Sequence, residues 1–117
     1  MSVQGNYAGN LQVPVSQALT DTATTKIGET ATDDSLTLAS VAFCNDNGGS
    51  VTCQLHWYDS VNTTEHLVWQ GAVSDNETKI VDNLPLRLVE GDEIRATGNS
   101  GVTVTVIYML NFALTSR

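Results

Sequence analysis

The sequence predicts an all-β protein: a single antiparallel β-sandwich, jelly-roll-like, built from seven to nine short strands. Three observations carry that prediction. Threonine, serine, asparagine, valine and glycine are abundant while lysine and glutamate are few, a balance that fits pleated strands and tight turns better than helices. Short apolar runs are punctuated by turn residues every ~8–12 positions. No stretch shows a helical period of useful length, and no segment repeats.

With 117 residues and 41% apolar content, the chain is one domain able to bury roughly two-thirds of its unfolded surface. Residues 1–15 are expected to form an arm or edge strand, 16–110 the sandwich and 111–117 a tail. Thirteen acids against five bases give a net charge of −8, which repels phosphate backbones and argues against nucleic acid as a partner. No run approaches the ~18 apolar residues of a membrane helix. The opening MSVQGNYAGN lacks a charged and then apolar leader, so synthesis in the cytosol is expected.

Along the chain, residues 1–10 are polar and glycine-rich, the composition of an arm. Leu11-Gln12-Val13-Pro14-Val15 alternates, and Pro14 confines it to a sheet edge. Lys26-Ile27-Gly28 is the one strand nucleus before the turn at Thr32-Asp33-Asp34-Ser35. Leu36 to Tyr58 then reads as a hairpin around Gly48-Gly49. A two-residue type I′ turn there sets Cys44 opposite Cys53, a non-hydrogen-bonded pair whose side chains approach closely. Leu38, Ala42, Cys44, Cys53, Leu55 and Trp57 would face the core, and Val41, Phe43, Gln54, His56 and Tyr58 would be half wet. Two facing thiols and a cross-strand disulfide both fit this register.

Further on, Glu65 to Val73 reads as a strand with Leu67 and Trp69 on one face. Thr78-Lys79-Ile80-Val81 is a short strand, and Leu84, Leu86 and Leu88 share one side of an extended segment. Glu93 to Thr97 and Val102 to Leu110 complete the set. The last strand alternates strictly and then becomes apolar on both faces, which suits a central strand or one against a neighbouring subunit.

Chemical constellations are sparse. His56 and His66 have no Cys or carboxylate at ligand spacing, so no zinc site is expected. Asp46-Asn47-Gly48 fails as a calcium loop, because the glycine alignment puts Phe43 first and Gln54 last where acids are needed. Asp33, Asp34, Asp92 and Glu93 could gather around a looser calcium site, although acids on turns are ordinarily just solvated. No nucleophile elbow, activated cysteine or phosphate-binding glycine pattern occurs, so no catalytic residue, metal or cofactor is expected. Sequons begin at Asn62 and Asn76, but without a secretory leader they predict nothing. Trp57, Tyr58 and Trp69 could stack on sugar rings, yet their apolar neighbours favour core packing for both tryptophans.

Five segments carry a resemblance: Leu38 to Asn45, Val51 to Leu55, Leu67 to Val73, Leu88-Val89-Glu90-Gly91-Asp92-Glu93-Ile94-Arg95-Ala96, and Val102 to Val106. In this order, over residues 20–108, the chain resembles small β-sandwich accessory proteins of tailed-bacteriophage virions. The Leu-x-x-Gly-Asp-x-Ile stretch is its clearest motif, with Gly making a tight turn and Asp bonding the turn backbone. The resemblance implies a non-enzymatic structural protein located in the virion. A capsid decoration protein is the first expectation, and a neck or tail component or a carbohydrate- or receptor-binding module the alternatives. Implied partners are the major capsid protein or other virion proteins, together with copies of itself, a trimer being favoured. Leu11, Val13, Met109, Leu110, Phe112 and Leu114 are the expected assembly contacts, since such apolar ends are poorly suited to a lone domain.

Overall fold

The computed structural model describes residues 11–32, 36–82 and 84–110. These form nine strands: β1 (Val15–Ala18), β2 (Thr25–Ile27), β3 (Leu36–Asn45), β4 (Val51–Asp59), β5 (Thr64–Val73), β6 (Glu77–Val81), β7 (Leu86–Leu88), β8 (Glu93–Thr97) and β9 (Val102–Leu110). Two antiparallel sheets pack as a sandwich. One has the order β1-β9-β3-β6, with β7 also pairing β3 beyond the end of β6; the other runs β2-β8-β4-β5. The all-β sandwich is therefore the fold.

Strict alternation gives β8 and β9 the bounds expected of them, and β9 lies between β1 and β3. Its inner residues Val102, Val104, Val106 and Tyr108 are buried, and Thr103, Thr105, Ile107 and Met109 alternate outward. Across the interior, Phe43 stacks on Trp69 with ring centroids 5.1 Å apart. The Tyr108 hydroxyl donates to the Ile27 carbonyl at 3.0 Å, tying the sheets together. Burial pushes that phenol up to about 12.

The expected β3–β4 hairpin does not form. β3 and β4 belong to different sheets, and residues 46–50 cross from one layer to the other. Tertiary hydrogen bonds override the local turn signal. The buried Asn45 donates through Nδ2 to the carbonyls of Gly49 and Val73, both at 2.8 Å, and accepts from the Asn47 amide through Oδ1. Asn47 in turn donates to Ser100, and the Gly48 amide to Asp75. A hairpin turn would leave the buried Asn45 amide without these acceptors.

The separation also dissolves the expected cysteine pair. Cys44 lies between Thr78 and Thr103 and is exposed, whereas Cys53 sits opposite Gly71 and is fully buried. Both are free, and no Cys44–Cys53 bond is made. Burial raises the Cys53 thiol above its ordinary value.

Two bulges correct the expected faces. On β3 the register shifts between Leu38 and Ser40, so Ala39 is the extra residue. Beyond it the parity inverts: Val41 and Phe43 turn into the core, and Ala42 and Cys44 turn out. On β5 the extra residue is Val68, which points Trp69 inward and leaves Leu67 51% exposed. The Leu84, Leu86 and Leu88 stripe packs on the core as expected.

Candidate functional site

Three polar or apolar surfaces stand out, and two of them are internally complete. The first centres on Asp92, which is buried at the turn between β7 and β8. Its carboxylate accepts from the Trp57 indole at 3.0 Å, the Ser60 amide at 2.9 Å and the Val89 amide at 3.2 Å. The Ser60 hydroxyl lies 2.9 Å from both Asp92 Oδ1 and the Glu90 carbonyl. Burial pushes this carboxyl up, but the converging donors outweigh it and hold the group below the ordinary carboxylate value. Gly91, at φ +93°, brings the turn so close that a Cβ would sit 2.8 Å from Ser60 Oγ. Gly and Asp of the Leu-x-x-Gly-Asp-x-Ile stretch thus clamp the β7–β8 turn onto the β4–β5 loop.

The second surface is the outer face of the β2-β8-β4-β5 sheet. Thr30 donates to Glu93, Glu93 pairs with Arg95 at 2.9 Å, and Arg95 reaches Glu65 at 3.0 Å. Glu65 approaches His56 Nδ1 at 3.6 Å, while His56 Nε2 bonds Gln54 and Thr97. The Arg95 guanidinium lies 4.1 Å from the centroid of Tyr58, covering one ring face. Each charge on this ladder already has a partner within it.

The third surface is the outer face of the β1-β9-β3-β6 sheet. Pairing registers place Ser16 and Ala18 of β1, Thr103, Thr105, Ile107 and Met109 of β9, Ser40, Ala42 and Cys44 of β3, and Thr78 and Ile80 of β6 on one side. The Ser16 and Thr105 hydroxyls meet there at 2.7 Å, and Ile80 is 65% exposed. Within these strands no position on this side is charged; beyond them, Arg87 of β7 lies opposite Thr37. Glu77 of β6 adjoins Thr78 but pairs with the buried Asn45 on the other side of the strand, and Asp82 follows the last residue of β6.

The structure distributes the expected site residues rather than gathering them. Trp57 and Trp69 pack against the core, and Trp57 stacks on His66 at 4.8 Å. Tyr58 points to the opposite side of β4 beneath Arg95, so the three aromatics form no common platform. Of the looser calcium set, Asp92 is turned inward and Glu93 is bonded within the ladder; Asp33 and Asp34 lie outside the described residues. Among the described residues no three His, Cys, Asp or Glu side chains gather closely enough to hold a metal ion. Among the described residues no helix is long and apolar enough to cross a membrane.

Among the expected assembly contacts, Leu11 bridges Met109 within the chain, and the Gln12 amide donates to the Tyr108 carbonyl. Leu11 and Val13 are exposed, Val13 by 84%, whereas Met109 and Leu110 are half-buried. Phe112 and Leu114 lie outside the described residues. Sequence reasoning missed the uncharged sheet face, since it emerges only when four strands distant in sequence are laid side by side. The alternating threonines of β9 were its one visible signal.

No family model matches the chain, and no curated protein matches it. Solved structures do share its fold. The globular domain of zebrafish complement 1qA aligns with a TM-score of 0.54 at 8% identity, over 86% of this chain and 98% of that one. A protein of Bacillus endospore appendages, described as forming disulfide-linked pili, aligns at 0.52 and 11% identity, over 88% and 90%. PirA aligns at 0.50 and 14% identity, over 84% and 93%. At these identities the likeness is one of fold, and none of the three is named as a virion protein.

Proposed function

We propose that this chain is a non-enzymatic structural protein of a tailed-bacteriophage virion, a decoration protein that binds the capsid shell through protein–protein contacts. The observation that carries the reading is the uncharged outer face of the β1-β9-β3-β6 sheet on a chain of net charge −8. An uncharged face made largely of small and β-branched residues can be desolvated without stripping water from ions, which is what an assembly contact needs. The two polar clusters support the reading differently, because their hydrogen bonds are spent on holding loops and strands together. The five-segment resemblance supplies the phage context. The Bacillus appendage protein supplies a case of a similarly folded chain described as a pilus component.

On a shell, each copy needs only a few kcal/mol of contact energy, because many copies act together. A carbohydrate-binding module gains no support, since Tyr58 is covered by Arg95 and both tryptophans pack on the core. Immunogold labelling of purified phage particles with an antibody against this chain tests the reading. Label spread over the shell is expected. Label confined to the neck or tail would move the protein to that location, and unlabelled particles would overturn the virion reading.

A further inference from the structure

We propose that two copies of this chain pair face to face through the outer surface of the β1-β9-β3-β6 sheet, related by a two-fold axis. The pairing rests on reading that face as an assembly surface and names its occupant, a second copy. Charge is the first argument. Two chains of net charge −8 repel wherever their acids meet, so self-association is favoured where acids are absent. The opposite outer face carries Glu65 and Glu93 paired around Arg95, ions that a contact would have to strip of water, whereas the strand positions of this one carry no charge from Ser16 across to Ile80.

Area is the second argument. The two central strands are nine and ten residues long and their flanking strands four and five. From ordinary strand rise and spacing, the face covers roughly 400–500 Å² in plan. Two such faces, with their corrugation counted, remove about 1,000 Å² or more from water, which reaches the lower edge of specific interfaces. The surface is also self-complementary in kind, with hydroxyl-bearing Ser16, Ser40, Thr78, Thr103 and Thr105 interspersed with alkyl groups. A face that meets its own copy about a two-fold axis closes at two subunits, which favours a dimer over the three-fold arrangement.

The test is light scattering on the full chain in reductant, from about 1 µM to about 1 mM, with a dissociation constant in the micromolar range expected for an interface of this size. Ile80→Glu and Thr105→Glu should each weaken pairing at least tenfold. Ile80 is already mostly solvent-exposed, so its variant keeps the fold, and circular dichroism verifies this. Thr52→Glu, on the exposed outer side of the other sheet, should leave pairing unchanged. Alkylation of Cys44 by a charged maleimide should slow as the dimer fraction rises.

A monomer at every concentration, a trimer, or a dimer indifferent to both substitutions would overturn the pairing. So would a monomer whose Cys44 is always slow to react, which would mean that the chain's own terminal residues cover the face. None of these results bears on whether the protein resides in a virion, which the particle labelling decides separately.

Discussion

Asp92 does with one carboxylate what a disulfide does in other small sandwiches: it fixes two loops that the sheets alone leave free. Removing the buried Asp92 carboxylate takes the acceptor from the Trp57 indole and the Ser60 and Val89 amides, all in part-buried hydrogen bonds. Asp92→Ala should therefore cost about 2–4 kcal/mol, measured by urea unfolding. Asn is no remedy, because its amide would point donors at donors. The same group sets an acid limit. Its native carboxyl lies below the ordinary 3.8, and Glu93, bonded by Thr30 and Arg95 against the opposing effect of burial, is also lowered. A depressed native value means that the stabilisation is complete above the unfolded value and is lost as pH falls through the native one. The urea midpoint should stay level down to about pH 5 and drop below about pH 4. Asp92→Asn should flatten that drop, and an unchanged acid profile would show that Asp92 does not set it.

At the scale of elements, legibility followed locality. β8 and β9 were readable to the residue because strict alternation needs no knowledge of a partner strand. β3 and β4 were readable as strands but not as partners. The polar turn between them has hairpin chemistry, and only the distant acceptors of Asn45 reveal that it bridges two sheets. Bulges at Ala39 and Val68 were equally invisible, and each inverts the faces beyond it. Phe43 shows the consequence most sharply. Alternation from Leu38 without the bulge places it half in water, whereas the structure buries it against Trp69. Phe43→Ala should cost about 3–5 kcal/mol and alter Trp69 fluorescence, as a core truncation does. A loss of under about 1 kcal/mol would restore the half-wet position.

At the scale of the whole molecule, charge and shape divide the work. Asp92 holds its clamp, Glu65 and Glu93 flank Arg95 on one outer face, and the other outer face is uncharged across β1, β9, β3 and β6. That division was only half legible. The lopsided net charge is a sequence property, but where charge is absent depends on which strands become neighbours. The expected assembly contacts shift in meaning too: Leu11 and Met109 bridge each other, holding the entry to β1 against the end of β9.

Counting copies of this chain in gradient-purified phage particles tests the proposed shell role. Quantitative mass spectrometry against the major capsid protein should find it in numbers comparable to the shell subunits. Its absence from the particles would rule that role out.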